Sequence, residues 1–576
     1  MKLDILKDFR PALFESLRDY NREKFTADLL AGIIVGVVAL PLAIAFGIAS
    51  GVSPEKGIYT AVIAGFIISL LGGSNVQIGG PTGAFIVIVY GIVESYGTQG
   101  LAIATVMAGI MLLLMGFLKL GSVIHYIPYP IVIGFTSGIA LTIFSTQIND
   151  LFGLGIEKIP SDFFQKWTSY FQHFNQINLW ATLIGIVSII IIMGTAKISK
   201  KVPGSLVALV VMTVGAFLLK KYLGIQGIET IGDRFTIESR LPEFKPIRLD
   251  LASIRTLFPS AFTIAMLGAI ESLLSATVAD GATGQKHNSN MELVAQGAAN
   301  IVTPFFGGIP ATGAIARTMT NINNGGKTPV AGIIHAIVLL FVVLFLGDLT
   351  KHIPMACLAG ILVIVSYNMS EWRIFVTQAK QSKSNLAVLI TTFTLTVVFD
   401  LTIAIEIGLL LAVFLFLRRV SESTRISVIS DKLDLSKETE SRKVSSDKEI
   451  LYLPKNVDVY EIEGPFFFGV ATRFDELMRE LGEKPRIRII RMRKVPFIDS
   501  TGLKNLEDLC KNSKKEKIQV ILSGVNDQVR SSLYKTNIPS IIGEDNICSD
   551  IHLALERAHL LSARKNNSHS TKIDFK

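Results

Sequence analysis

Two short interruptions with the same order of residues break long apolar stretches of the chain. Residues 79–84 read Gly-Gly-Pro-Thr-Gly-Ala, and residues 307–314 read Gly-Gly-Ile-Pro-Ala-Thr-Gly-Ala. Glycine and proline give an irregular backbone, which a membrane interior tolerates only where protein or a water-filled cavity covers it. Matching interruptions in two halves predict the binding site of a transporter, whereas unrelated kinks in ordinary spanning helices need not match. Because a helix starts after each interruption, two positive helix ends favour an anion there.

The composition predicts a polytopic membrane protein. The 576 residues are 50% hydrophobic with a mean hydropathy of +0.48, too apolar for a soluble enzyme of this length. The net charge of +9 arises mostly from basic residues between and after the apolar spans, so we expect no nucleic-acid partner. Cys357, Cys510 and Cys548 are too widely spaced for a disulfide framework or a metal site. The first 24 residues lack the apolar core of a cleavable signal peptide.

Fourteen apolar segments form two groups of seven. The third segment of each group is shorter than the ~20 residues of a full crossing. An odd number of crossings gives the groups opposite orientations, so their likeness predicts inverted repeats at about residues 25–223 and 253–420. The segments cover roughly residues 27–49, 57–72, 82–93, 100–119, 128–147, 179–196 and 203–222, then 256–280, 291–306, 313–321, 329–347, 353–369, 386–399 and 401–417.

Basic residues set the predicted orientation. Even-numbered segments are followed by lysine or arginine, as at Lys119, Lys197, Lys286, Lys327 and Arg418. Because such residues concentrate in cytoplasmic loops, we expect a multi-pass protein of the cytoplasmic (inner) membrane with both termini in the cytoplasm.

Five regions follow from the changes in composition along the chain. Val457, Val459 and Ile462 alternate with polar residues as a strand would, and residues 499–502 form a helix-capping pattern. The regions are a cytoplasmic lead at 1–24, a transmembrane domain at 25–420, a charged linker at 421–450, a small α/β domain at 451–562 and a disordered tail at 563–576.

Motifs along the chain point to one family. In the membrane part these are Ala-Leu-Pro-Leu-Ala-Ile-Ala-Phe-Gly at 39–47, Gly-Pro-Thr-Gly at 80–83, Gly-Ala-Ile-Glu-Ser-Leu-Leu at 268–274, Asn-Gly-Gly-Lys-Thr at 324–328 and Asp-Leu-Thr-Ile-Ala-Ile-Glu at 400–406. The tail adds Gly-Pro-Phe-Phe-Phe-Gly at 464–469 and Val-Pro-Phe-Ile-Asp-Ser-Thr-Gly at 495–502. In this order they resemble the sulfate permease (SulP) family of anion transporters, which carries a cytoplasmic STAS domain.

The resemblance implies an architecture and a site. A core domain of segments 1–4 and 8–11 would move as an elevator against a gate domain of segments 5–7 and 12–14, within a homodimer in the lipid bilayer. The implied substrate positions are Leu42, Phe46, Thr82, Gly83, Gly313, Ala314, Ile315 and Arg317, and the implied coupling-ion positions are Glu271 and Ser275. No bound cofactor is implied, only a co-transported proton or sodium ion.

Three positions depart from parts of the family pattern. Many sulfate-transporting members have Gln at the position of Leu42, whereas the bicarbonate branch has Leu there, as this chain does. Sodium-coupled members place Asp at Glu271 and a Thr hydroxyl at Ile315. The first position favours bicarbonate, and the missing hydroxyl favours a proton over sodium because a small cation needs hard oxygen ligands.

Two residues at the site allow more than one role. A carboxylate within a spanning segment is by default functional, but Glu271 could instead be permanently paired with Arg317. Thr82 could donate its hydroxyl to an oxyanion or cap the short helix.

Ser500 allows two interpretations. It occupies the position phosphorylated in the anti-sigma-factor antagonists that STAS domains resemble, yet helix capping alone explains a serine there. A cytoplasmic protein partner of the STAS domain is also implied.

The sequence therefore predicts secondary active transport of bicarbonate or sulfate without enzymatic chemistry. The alternatives are a proton-coupled dicarboxylate carrier, a membrane-bound STAS regulator and a passive anion channel.

Overall fold

A computed structural model of the chain divides into two compact units, Met1–Ala412 and Val413–Lys576. The structure describes residues 9–122, 128–156, 159–160, 162–198, 203–225, 227–235, 241–248, 250–399, 401–429, 432–434, 450–454, 456–470 and 485–570.

The first repeat is mainly helical. Asn21 caps its first long helix by accepting a hydrogen bond from the Lys24 amide. The third and fourth predicted segments lie in one helix, α4, which is broken at Gly97, where φ is +66°. The helices are α1 (Ala12–Ser16), α2 (Arg22–Ala49), α3 (Pro54–Leu71), α4 (Ile86–Phe117), α5 (Tyr129–Phe152), α6 (Phe163–Gln172), α7 (Leu179–Ile198) and α8 (Gly204–Leu223).

The second repeat follows the same plan. Its third segment is a helix of nine residues, too short to cross a bilayer. The helices are α9 (Ile231–Arg234), α10 (Leu251–Thr283), α11 (Ser289–Val302), α12 (Ile315–Asn323), α13 (Val330–Thr350), α14 (Met355–Met369), α15 (Trp372–Gln381), α16 (Lys383–Val398) and α17 (Leu401–Ser423).

The helices pack in two groups that confirm the expected core and gate. In the core, α4 packs against α10 and α11, while α13 packs against α2 and α3. In the gate, α5 packs against α14 and α16, and α7 packs against α8 and α14. Seven helices among the described residues are long and apolar enough to cross a membrane.

The second unit is an α/β domain around a five-stranded sheet. Two short strands of the first unit, β1 (Gly79–Gly80) and β2 (Thr312–Gly313), precede the strands of this sheet. The strand order in the sheet is β3 (Arg425–Ile429), β6 (Val457–Glu463), β7 (Ile487–Lys494), β8 (Gln519–Ser523) and β9 (Ile547–Cys548). Strand β3 is antiparallel to β6, and the other neighbours are parallel. Phe466 and Leu506 are buried with Ile490 on one face, and Ala554 is buried with Ile489 on the other. The elements are β3 (Arg425–Ile429), β4 (Lys432–Asp434), β5 (Ile450–Tyr452), β6 (Val457–Glu463), β7 (Ile487–Lys494), α18 (Ser500–Lys515), β8 (Gln519–Ser523), α19 (Asp527–Leu533), α20 (Ile538–Ile542), β9 (Ile547–Cys548) and α21 (Ile551–Ser570).

Two predicted stretches differ from the elements observed. The charged linker expected at 421–450 contains the end of α17 and the strands β3 and β4. Strand β3 forms because Ile426 and Val428 supply β-branched residues that pair with β6. Residues 435–449 of that linker lie outside the described residues. The tail expected to be disordered from 563 is helical to Ser570, where α21 ends, and 571–576 lie outside the described residues.

Candidate functional site

The two interruptions meet in the interior of the first unit. Gly79 and Gly80 form strand β1 (Gly79–Gly80), which pairs antiparallel with β2 (Thr312–Gly313). Beyond the pair, the Ala314 amide donates to the Ile78 carbonyl at 2.9 Å. The two irregular segments thus satisfy part of each other's backbone, as a lipid environment requires.

Glycine is needed on both strands of this crossing. A Cβ added at Gly313 would lie 1.6 Å from Gln77 Nε2, and one added at Gly80 would lie 2.2 Å from Arg317 Nη1. A side chain at either position would force Gln77 or Arg317 to move, so Gly80 and Gly313 reflect close packing as well as backbone freedom.

A helix begins after each strand with amides that have no acceptor within the helix. In α12 the first intrahelical bond runs from the Thr318 amide to the Ala314 carbonyl at 2.9 Å. The amides of residues 315–317 therefore precede the helical ladder, as the first amides of any helix do. The other helix opens as a short 3₁₀ turn at Gly83–Phe85 and continues as α4.

Thr82 does not cap this helix. Its hydroxyl donates instead to Glu271 Oε2 on α10 at 2.8 Å. The capping interpretation of Thr82 is thus wrong in this structure, and the hydroxyl links the third segment to the eighth. The bond is long-range, because 189 positions separate the two residues.

Arg317 is buried against the first interruption and is not hydrogen-bonded to Glu271. One of its terminal nitrogens, Nη2, donates to the Pro81 carbonyl, while Nη1 has no hydrogen-bond partner among the described residues. Only 2% of the arginine is exposed. The guanidinium therefore lies beside Pro81, two residues before the Gly83–Phe85 turn. Among the described residues no salt bridge joins it to Glu271, although the two groups are near enough for their charges to interact.

Ser275 and Glu271, both on α10, form hydrogen bonds with different partners. The Ser275 hydroxyl donates to Thr318 Oγ1 at 3.3 Å, and the same oxygen accepts from the Ile78 amide at 3.1 Å. Ser275 is fully buried. It therefore ties α10 to the crossing, whereas Glu271 bonds to Thr82.

The remaining predicted substrate positions are apolar or backbone. Leu42 is half-buried and Phe46 is buried on α2, which packs against α12. Ala314 is buried, but 38% of Ile315 is exposed. Gly83 has no space for a Cβ, which would lie 2.8 Å from Met369 Sδ.

Several polar residues that hold the crossing were not singled out by the sequence. Gln77 Nε2 donates to the Ser272 carbonyl at 3.3 Å, and Thr312 Oγ1 donates to the Gly268 carbonyl at 2.9 Å. Asn321 Nδ2 donates to the Val76 carbonyl at 2.9 Å. The sequence feature that could have identified them is their position, because each is an uncharged hydrogen-bonding residue within or near an interruption.

Ser500 lies in the second unit, where the capping interpretation is also wrong. Asp499 is the N-cap of α18, and its Oδ1 accepts from the Gly502 amide at 2.7 Å. Asp499 Oδ2 accepts from the Phe468 amide at 3.1 Å. Ser500 is therefore the first residue of the helix, with an exposed side chain that capping does not engage.

The described part of the chain contains no candidate metal site. No group of three His, Cys, Asp or Glu side chains there could hold a metal ion. Cys357, Cys510 and Cys548 are buried and unpaired with one another.

Comparisons with known proteins agree on one family. The sequence profile of the sulfate permease family matches residues 25–392, and that of the STAS domain matches residues 451–554. YvdB of Bacillus subtilis, named as a candidate sulfate transporter, is 42% identical over 92% of this chain and 97% of its own length. The bicarbonate transporter BicA of Picosynechococcus is 31% identical over 92% of this chain and 94% of its own.

A solved structure supports the same fold. The murine Solute Carrier 26 family member A9 anion transporter, in its inward-facing state, superposes with a TM-score of 0.83 at 17% identity. The match covers 97% of this chain and 95% of that one. At this identity the likeness concerns the fold alone.

Proposed function

Because the chain belongs to the sulfate permease family, we propose that it is a secondary active transporter of bicarbonate or sulfate that works by an elevator movement. The observation that carries this proposal is the crossing of β1 and β2, which brings two helix starts and a buried arginine to one place. In a membrane interior such an arrangement suits an anion, because helix N-termini and a fixed positive charge offset its cost of dehydration.

The anion is held mainly by backbone in this proposal. Hydrogen-bond donors come from the amides at residues 315–317 and at the start of the Gly83–Phe85 turn. Arg317, bonded to the Pro81 carbonyl, supplies a positive charge beside that turn. Leu42 and Phe46 form the apolar wall on α2. The Thr82 hydroxyl has one hydrogen, which it donates to Glu271 in this structure. Donation to the anion requires that bond to break, so anion binding and the state of Glu271 are linked.

Glu271 couples transport to a proton in this proposal. A carboxylate in a low-dielectric place resists ionisation, and its hydroxyl partner Thr82 lies at the anion site. Sodium would need further oxygen ligands, and Ile315 has no side-chain oxygen to supply. A proton needs only the carboxylate.

The names of the relatives support two candidate substrates, sulfate and bicarbonate. The protein at 42% identity carries a sulfate-transporter name, and the one at 31% carries a bicarbonate-transporter name. Leu42 favours bicarbonate. We place the protein as a homodimer in the cytoplasmic membrane, with both termini and a protein-binding STAS domain in the cytoplasm.

Uptake of labelled bicarbonate and labelled sulfate into proteoliposomes tests the function. We expect one of them to accumulate when the outside is acidic, and the response to disappear in Glu271→Gln while anion binding persists. Glu406→Gln on α17 is the matched control, because it makes the same change at an exposed position of a spanning helix.

Other outcomes of that assay exclude the proposal. A strict sodium requirement without any pH response would overturn proton coupling. Accumulation of the anion that never exceeds its electrochemical equilibrium would indicate a channel. Uptake of dicarboxylates alone would indicate a different carrier. No flux from correctly inserted protein would favour a regulatory role.

A further inference from the structure

A cavity of about 490 Å³ lies at the end of the first unit where α2 finishes. Its walls come from the last turn of α2, the end of α5, the start of α14 and the loop before α9. Ala45 lines it and is adjacent in sequence to Phe46, the predicted substrate wall. With both termini in the cytoplasm, these helix ends lie on the outer side of the membrane.

A lysine is built into the wall of this cavity. Lys166 lies on α6, a ten-residue helix that does not span, and only 2% of the residue is exposed. The helix is fixed against α5 because Tyr170 Oη donates to the Ser145 carbonyl at 2.8 Å, and Trp167 Nε1 donates to Ser145 Oγ at 3.2 Å. Lys166 and Tyr170 are one helical turn apart, so both face inward.

The described salt bridges of the cavity wall engage Arg234 but not Lys166. Arg234 also lines the cavity, but it is bound to Glu229 at 2.6 Å and to Asp150 at 2.8 Å, so its charge is matched. Among the described residues no salt bridge holds Lys166, although the Glu94 and Asp162 carboxylates act on its charge from a longer distance. Buried ammonium groups are otherwise paired, so an unpaired one facing a cavity indicates a missing anionic partner.

We propose that this cavity is an outer docking site for the transported inorganic oxyanion, with the Lys166 ammonium as its anchor. The inference rests on the proposed function, because it assumes that an anion passes this way. The side-chain amides of Gln147 and Asn149 also line the cavity, but their nitrogens already donate within the protein, to Thr146 Oγ1 at 2.7 Å and to Asp150 Oδ1 at 3.2 Å respectively. The cavity lining as a whole is formally neutral, with Lys166 and Arg234 opposite Asp150 and Glu229, so direct bonds to the Lys166 ammonium would hold the anion.

The charge of Lys166 depends on pH in a useful range. Burial lowers the pKa of Lys166 to about 8, while Glu94 on α4 and Asp162 before α6 act in the opposite direction. Tyr90 from α4, Asp150 from α5 and the Arg234–Glu229 pair are the other ionisable groups around the cavity. A lysine is charged below its pKa, so docking is present near neutral pH and is lost as the external pH rises through about 8.

The test compares Lys166→Met and Lys166→Arg in right-side-out proteoliposomes, using whichever labelled anion, sulfate or bicarbonate, the wild type accumulates. We expect the methionine variant to raise the KM for external anion by ~10-fold or more with little change in the maximal rate, because only capture is affected. The arginine variant retains the low KM. Lys351→Met is the matched control, since Lys351 is a more exposed lysine near the same outer end, paired with Asp348 at 2.6 Å.

Two further measurements protect the test from a folding defect in Lys166→Met. The first is the ratio of KM between wild type and Lys166→Arg from pH 6.5 to 9.5, which cancels titration of the anion and of Glu271. It should rise above pH 8, since arginine keeps its charge. The second is flux in inside-out vesicles, where the cytoplasmic KM of Lys166→Met should match that of wild type.

Each negative result has a separate meaning. An unchanged external KM in Lys166→Met, or a flat KM ratio across the pH range, overturns the docking site while leaving transport intact. An equal rise of KM on both sides assigns Lys166 to the fold instead. Absence of uptake by the wild type under every gradient refutes the proposed function, not the docking site alone.

Discussion

Replacing Gly313 by alanine tests whether the crossing holds the anion site together. The added Cβ would lie 1.6 Å from Gln77 Nε2, so the buried glutamine must move. Movement breaks its 3.3 Å bond to the Ser272 carbonyl. Overpacking costs about 1–3 kcal/mol and an unsatisfied buried amide about 1–3 kcal/mol, so the crossing loses about 2–6 kcal/mol.

That loss should be visible in anion binding before it is visible in expression. If the crossing opens locally, the helix starts beside it separate, and affinity falls by ~30-fold or more. The assay is labelled sulfate and bicarbonate binding to purified protein, together with the midpoint of thermal unfolding. Gly281→Ala is the control, because its Cβ meets nothing within 4 Å and the residue lies on α10.

A double variant separates the clash from other effects of alanine. Adding Gln77→Ala to Gly313→Ala removes the atom that the new Cβ meets, so part of the lost affinity should return. If Gly313→Ala binds and unfolds as Gly281→Ala does, the crossing does not hold the site and the reasoning is refuted.

Three other perturbations address separate parts of the chain. Ala314→Trp should fill the space beside the buried Ala314 and abolish uptake without loss of membrane insertion; unchanged uptake would remove the site from this place. Truncation after Thr424 should leave a folded membrane part that binds anion but transports more slowly, and loss of binding by an intact protein would show tighter coupling of the STAS domain. Asp499→Ala should destabilise the STAS domain by about 1 kcal/mol through its lost helix cap, as measured by denaturant unfolding of the isolated domain; no change would mean that the bond to the Gly502 amide contributes nothing.

The membrane architecture was predictable because its signals are local. Apolar length marks a spanning segment, and the Gly-Gly-Pro pattern marks a break, without knowledge of any distant residue. The repetition of that pattern at 79–84 and 307–314 also identified which two places lie together. The pairing of Gly79 with Gly313 confirms that inference.

The bonding within the site was not predictable in the same way. Thr82 satisfies a capping pattern locally, yet its partner is Glu271, 189 positions away. Ser275 stands one turn from Glu271 in the sequence, but its hydroxyl reaches Thr318 on another helix. Which partner a polar side chain takes depends on how helices pack, and the packing is set by shapes across the whole core.

The second unit shows the same division. The strands Val457–Glu463 and Gln519–Ser523 follow from β-branched residues, and the structure contains both. Strand β3 was missed because Ile426 and Val428 lie within a charged stretch that reads as a linker. Either a carboxylate or a hydroxyl can cap a helix, so the sequence allows Asp499 or Ser500 as the N-cap of α18. The helix begins at Ser500, which leaves Asp499 as the N-cap.

The pairing of β1 with β2 also constrains how the protein is made. At ~5–20 residues per second, synthesis reaches β2 about 10–50 s after β1. During that interval Gly79 and Gly80 lack the strand to which they bond, and lipid offers their backbone no substitute. The nascent first repeat must therefore stay beside water or the insertion machinery until residue 313 arrives. We therefore expect release into lipid to be a late event that involves both halves together.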